Sequence, residues 1–168
     1  MKVVSLVPSW TETLLAAGLD VVGRTRFCIH PEQSVKNIPI VGGTKNWTWE
    51  KIVEIKPDLI LLDREENPKF MSEQNTFPWH ASHVQNISDM PDQLNQLAKL
   101  LNNSELQNLS DRWKNILPKK KHNALSDLPG IIEWGNRPTQ PIKKVLYLIW
   151  KDPWMTVSQD TFIGSILN

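Results

Sequence analysis

The sequence predicts an α/β fold: a parallel-sheet N-terminal lobe, a long helical connector, and the first strand and helix of an incomplete second α/β lobe. Two continuous apolar runs, Val3–Val7 and Asp58–Leu62, have the pattern of strands covered on both faces. These runs alternate with helical patterns through short links, which implies parallel pairing with right-handed crossovers. Past Asn86 the pattern changes to sustained helical periodicity.

Val3–Val7 is the first strand, and Pro8 ends it. Ser9 with Glu12 forms a capping-box pattern, so a helix is expected from Trp10. Leu14, Leu15 and Ala17 form its apolar face, and Gly18 closes it. Asp20, Val21 and Val22 make a short second strand stopped by Gly23. Residues 24–44 read as a long polar loop, with Pro31, Pro39 and the Gly42–Gly43 pair. A helix begins near Thr48, turns Ile52, Val53 and Ile55 inward, and stops at Pro57. Asp58–Leu62 is the third strand, and a weaker one is expected near Ser82–Ile87.

Asp89 then caps a helix carrying Leu94, Leu97, Ala98 and Leu101 at helical spacing. Asn102–Asn103 interrupts it. Ser104 with Gln107 restarts it as a second capping box, with Leu106, Leu109, Trp113 and Ile116 on one face. Trp113 reads as a core residue. Lys119, Lys120 and Lys121 suit the helix C-terminus, where cations are favoured. Residues 118–141 hold four prolines and read as a linker. Val145–Ile149 is a buried strand, and a helix starts near Asp160. The organisation is therefore 1–87 as the N-terminal α/β ligand-binding lobe, 88–121 as helical connector, 122–142 as Pro-rich linker, and 143–168 as the start of the second lobe.

Composition narrows the function classes. Of 168 residues, 40% are hydrophobic and 22% charged, which suits a packed core and argues against global disorder. The formal net charge of +1 shows no electrostatic footprint for nucleic acid. The single cysteine, Cys28, excludes an internal disulfide. Eight tryptophans against one tyrosine suit a core, and equally a protein that grips a flat ligand. No run approaches the roughly 20 apolar residues of a membrane helix. The chain as written enters its first strand directly from Met1, without an export signal, so by sequence it is expected in the cytoplasm.

In a parallel sheet the loops after the strands gather at one edge, the usual ligand edge. Those loops are PSW (8–10), GRTRFCIHP (23–31), GGTKNW (42–47) and DREEN (63–67), with WKDPWM (150–155) as the equivalent on the second lobe. They bring Trp10, Arg24, Arg26, His30, Trp47, Asp63, Arg64, Glu65, Trp150 and Trp154 toward one face. The arginines and acids could equally pair among themselves across the loops. Trp10 stands open between core and ligand. Cys28 and His30 lie two apart, but a metal site needs three or four ligands, so no protein-held metal is expected. There is no Gly-x-Ser-x-Gly elbow, and Gly42–Gly43 lacks the Lys-Ser/Thr of a phosphate loop. This favours a binder over a catalyst.

At these loops the chain resembles a known family. VVSLVPSWTETLLAAG, VGRTRFCIHP, IPIVGGTKNWTWEKIVEIKPDLILLDREEN and KVLYLIWKDPWM with DTFIGSIL look like the cobalamin-type branch of ABC-transporter substrate-binding proteins, whose two α/β lobes are joined by one rigid helix. The resemblance implies that a large metal chelate, such as cobalamin or another corrinoid, is held between the lobes and passed to a membrane permease. No cofactor of the protein's own, and no nucleic-acid partner, is implied. The ligand-binding residues carried over are Trp10, Arg24, Arg26, His30, Asn46, Trp47 and Glu65 on the first lobe, and Trp150, Trp154 and Asp160 on the second. Indole faces match a flat macrocycle, and Arg, Asn and Asp match its amide or carboxylate rim. The family role would set the protein in the periplasm or at the cell surface. The chain departs from such relatives by stopping after one strand and one helix of the second lobe, so a truncated lobe is expected. The alternatives are a cytosolic enzyme or salvage protein on the same fold, or a remnant without function.

Overall fold

The computed structural model describes residues 1–116 and 146–167. In chain order the elements are β1 (Lys2–Ser5), α1 (Pro8–Ala16), β2 (Asp20–Thr25), α2 (Glu32–Val35), β3 (Ile40–Gly42), α3 (Trp49–Ile55), β4 (Leu59–Asp63) and β5 (Trp79–Ser82). Then follow α4 (Met90–Leu101), α5 (Ser104–Ile116), β6 (Leu148–Trp150), β7 (Met155–Thr156) and α6 (Phe162–Leu167). The first five strands form one sheet in the order β3-β2-β1-β4-β5, and every pairing is parallel. The expected α/β class and parallel lobe are what the chain adopts.

Two apolar layers hold the sheet. On one face Val3, Val21, Leu59 and Leu61 meet Leu14 of α1, Leu94 and Leu97 of α4, and Leu106 of α5. On the other, Val4, Ile60 and Leu62 meet Ile52 of α3 and Met71. The strand runs are apolar throughout because alternate residues feed opposite layers. Helices α4 and α5 lie on the first layer; Leu109 and Trp113 pack against it, while Ile116 turns outward and is exposed.

Several local expectations are corrected. Helix α1 starts at Pro8, a proline at its first turn, with Val7 in the cap position and no side-chain cap, so Ser9 lies inside the helix and makes no capping box. Gly23 does not stop β2. A side chain there would meet Val4 Cγ2 at 3.0 Å, Val41 Cγ1 at 3.1 Å and Ile55 Cδ1 at 3.3 Å, so glycine lets α3 close onto the sheet. The expected loop 24–44 holds the end of β2, the short α2 and β3. Val53 is exposed on the outer side of α3. The strand expected near Ser82–Ile87 lies earlier, as β5. Asp89 occupies the cap position of α4, as expected, but its side chain makes no cap hydrogen bond to that helix. Its carboxylate instead accepts from the backbone N–H groups of Gln85 and Asn86, at 3.0 Å each, and closes the turn before α4. At α5, Asn103 rather than Ser104 caps: its Oδ1 accepts from Leu106 N–H at 2.9 Å, and its Nδ2 donates to the Ala17 carbonyl at 3.1 Å.

The largest correction is in the tail. Leu148–Trp150 pairs antiparallel with Met155–Thr156 as a hairpin of its own, and Leu146, Tyr147, Leu148, Ile149 and Trp150 are all exposed. The run is a strand, but not a buried one. Helix α6 begins at Phe162 rather than Asp160, and it meets the lobe where Ile87 N–H donates to Ser165 Oγ at 2.8 Å. Lys119–Lys121, the linker and Val145 lie outside the described residues.

Candidate functional site

The loops after β1, β2, β3 and β4 meet at the C-terminal edge of the sheet, and one side chain ties three of them. Asn67 Oδ1 accepts from Asp63 N–H at 2.8 Å, while its Nδ2 lies 2.7 Å from the Thr44 carbonyl and 3.4 Å from the Leu6 carbonyl. Asp63 opens this turn by accepting the N–H groups of Glu65 at 2.8 Å and Glu66 at 3.2 Å on Oδ1. That is the Asx-turn chemistry of an aspartate ending a strand. Asn67 was not singled out in the sequence; its signal was its place after a strand-ending Asp and before Pro68.

Asp63 also reaches across to β5. Its Oδ2 lies 2.7 Å from Ser82 Oγ, and Trp10 Nε1–H donates to that same Ser82 oxygen at 2.8 Å. Trp10 is only 4% exposed, so its ring belongs chiefly to the first apolar layer. One edge still reaches a cavity of about 310 Å³ that it shares with Asp63, Glu65, Glu66, Met90 and Phe162 of α6. Burial and the Asp63 carboxylate push the Glu66 carboxyl above the ordinary glutamate value, and Lys45 pulls it back.

The loop after β3 is shaped by Gly42 at φ 145°, where a side chain would run into the Asn46 carbonyl at 2.5 Å and Trp47 Cα at 2.6 Å. The tight turn presents Asn46, whose Oδ1 accepts from Arg26 Nη2 at 3.1 Å. Arg26 also lies over the Phe27 ring, 5.6 Å from its centroid. Trp47 is half-buried, with its ring centroid 4.9 Å from that of Trp49 and 6.1 Å from that of Phe70. Lys45 Nζ donates to the Glu65 carbonyl at 3.3 Å. Arg26, Asn46, Trp47 and Glu65 thus stand on adjoining loops of one rim, with Arg26 and Asn46 bonded to each other and Trp47 packed against the α3 layer.

Arg24 is not on that rim. It is buried; its Nε donates to the Val35 carbonyl at 3.0 Å, and its Nη1 serves the Thr25 and Cys28 carbonyls at 3.2 and 3.1 Å. It staples the loop from inside. Cys28 is buried too, its Sγ 3.1 Å from both Thr11 Oγ1 and Thr25 Oγ1, whereas His30 is exposed. Among the described residues no three His, Cys, Asp or Glu side chains are grouped to hold a metal ion. Trp150 and Trp154 stand on the hairpin at 65% and 66% exposure, with Lys151 Nζ 5.9 Å from the Trp154 ring centroid, and Asp160 is exposed beyond them.

Comparison with known proteins agrees with this architecture. The chain is 32% identical over 157 residues to a vitamin B12-binding protein of Vibrio vulnificus (strain YJ016), covering 83% of this chain and 57% of that one. It superposes on the crystal structure of the periplasmic vitamin B12-binding protein of Vibrio cholerae with a TM-score of 0.73. That match has 23% identity and covers 98% of this chain and 62% of the other, so it speaks to the fold. A periplasmic haem-binding protein solved with two haems superposes with a TM-score of 0.55 at 19% identity, over 66% of this chain and 44% of the other. The chain thus spans little more than half the length of the B12-binding relative it matches. The model describing the periplasmic binding protein family matches residues 3–164, and with the parallel lobe and its loop edge in place the chain belongs to that family.

Proposed function

We propose that this chain supplies the first lobe and the opening of the second in an ABC-importer substrate-binding protein whose ligand is a flat metal chelate, a corrinoid first. The observation that carries this reading is the rim of Arg26, Asn46, Trp47 and Glu65 around the sheet edge, with the open indole faces of Trp150 and Trp154 in the same chain. Exposed indoles are costly to leave in water and gain most against a broad apolar ring. Arg26 and Asn46 offer the donors and acceptors that a carboxamide rim needs. The name of the Vibrio vulnificus relative supports the corrinoid. In this family such chelates are transported ligands rather than resident cofactors, so the metal travels with the ligand. The partner that follows is a membrane permease, and the place of work is outside the inner membrane.

Haem is the second reading, favoured by the likeness to the haem-bound structure and by the same demand for a flat apolar face. Titration calorimetry with cyanocobalamin, haemin and a ferric hydroxamate separates the readings. A corrinoid should bind most tightly, and Trp154→Ala or Asn46→Ala should weaken it about tenfold. Preferred binding of haemin moves the ligand to the second reading. No binding of any chelate, here and in a full-length relative, overturns the class.

A further inference from the structure

Helix α6 is joined to the first lobe at the turn of residues 85–89, which lies between β5 and α4. The backbone N–H groups of that turn are almost all used within it. Those of Gln85 and Asn86 go to the Asp89 carboxylate, Ser88 N–H goes to Asn86 Oδ1 at 3.0 Å, and Asp89 N–H goes to the Asn86 carbonyl at 3.1 Å. Ile87 N–H alone reaches outside, to Ser165 Oγ at 2.8 Å and 78 residues away in sequence. Ile87 is half-buried, so its backbone donor needs a partner, and α6 supplies it.

Ser165 is matched to that task. Its hydroxyl proton goes to the Phe162 carbonyl at 2.6 Å, which leaves the oxygen lone pairs to accept from Ile87. The start of α6 is held in shape from its other side. Thr161 Oγ1 donates to the Ser158 carbonyl at 2.8 Å and accepts Gly164 N–H at 3.1 Å. A side chain at 164 would run into the Ser158 carbonyl and, at 2.8 Å, the Gln159 carbonyl, so glycine lets the segment before α6 fold onto the helix. Phe162, one turn before Ser165, then lines the cavity of about 310 Å³ beside Trp10. The turn feeds the same wall from both of its ends: Val84 precedes it, Met90 follows it, and both line that cavity.

We propose that Ser165 is a positioning residue of this binding site. Through Ile87 it seats α6 on the lobe, and so sets Phe162 as the wall that meets an apolar flank of the bound chelate beside Trp10. This rests on the chelate reading above. Of the apolar side chains lining the cavity, Val7, Trp10, Val84 and Met90 belong to the first lobe, and Phe162 alone comes from α6. Withdrawal of α6 opens the pocket on that side and removes the contact, while the sheet and its two apolar layers keep every residue. Ser165 therefore sets the register between α6 and the lobe rather than the stability of the lobe.

The test uses the whole chain and titration calorimetry with cyanocobalamin. Ser165→Ala and Phe162→Ala should each weaken binding about tenfold, and the double variant should bind no worse than either alone, because Ser165 acts through Phe162. Ser165→Thr retains the hydroxyl and should recover most of the affinity. In Ser165→Ala the Ile87 amide should exchange with solvent roughly tenfold faster, while the amides of Val3–Ser5 keep their rates. Full affinity in Ser165→Ala, additive losses in the double variant, or no recovery in Ser165→Thr would each overturn the assignment. If the wild type binds no chelate, the reading of the site fails by itself, and the Ile87 amide decides the latch: unchanged exchange in Ser165→Ala overturns it, and faster exchange upholds it.

Discussion

Strand β4 and strand β6 are built from nearly the same residues, LILLD against LIW, and only β4 is buried. Leu59–Leu62 lie between β1 and β5 in the sheet of five parallel strands, with helices and a short turn covering both faces. Leu148–Trp150 has one two-residue partner, β7, and no covering layer among the described residues. An apolar run fixes the tendency to extend, but burial belongs to the neighbours the topology supplies. A two-stranded hairpin is marginal in water by itself. The same residues that stabilise the lobe therefore leave the tail with open indoles and aliphatic side chains.

The widest gap between the two regions should appear in hydrogen exchange. Amides of Val3–Ser5 and Ile60–Leu62 should exchange only through global opening, which for a domain of this kind costs about 5–15 kcal/mol. Those of Leu148–Trp150 and Met155–Thr156 should exchange with protection near zero. Strong protection in the hairpin would mean that it has acquired a covering partner in solution. Substitution should tell the same story on a smaller scale. Leu61→Ala removes a fully buried side chain and should cost about 2–5 kcal/mol in urea unfolding. Leu148→Ala should cost less than about 0.5 kcal/mol. Equal losses would break the contrast.

Most of the lobe is legible in the sequence, because Val3–Val7 and Leu59–Leu62 are almost wholly apolar runs, broken only by Ser5, and Pro8, Gly18 and Pro57 punctuate them. What was not legible depended on tertiary contact. Gly23 reads as a breaker, yet it is the point where Val4, Val41 and Ile55 converge. Arg24 reads as a ligand-edge cation, yet three backbone carbonyls claim it. β3 was lost in a loop because a strand of three residues carries too little pattern. Of the site, the rim from Arg26 to Asn46 and on to Trp47 could be foreseen from the loop positions. The Trp10–Ser82–Asp63 relay could not, since its partners lie 72 and 19 residues apart in sequence.

The loop edge offers a change of intermediate size. Gly42→Ala forces a Cβ into the Asn46 carbonyl and Trp47 Cα at a positive φ. It should cost about 1–3 kcal/mol, with the strain confined to the turn. Because that turn carries Asn46 and Trp47, chelate affinity should fall with it, while the hairpin keeps its exchange behaviour. A loss of stability without any change in tryptophan emission would separate the turn from the rim.

Strand β5 stands between the two extremes: it is inside the sheet yet has one open edge, and His80 upon it is half-buried. Its imidazole should report that intermediate state through pH. Burial, with Arg64 adding to it, lowers the folded-state value below the ordinary value of about 6.5. Well above that value both folded and unfolded chains carry His80 neutral, and the stability it permits is fully present. As pH falls through about 6.5 the unfolded chain takes up the proton first, so stability declines until the folded-state value is passed as well. Glu66 acts with the opposite sign, since its raised value favours the folded state when it is protonated. Both effects are small because the groups are partly open to solvent. Urea midpoints of the wild type at pH 7.5, 6.5 and 5.5 should fall gently, and those of His80→Gln should fall less over the same span. Parallel slopes would show that the β5 edge is as open to water as the hairpin.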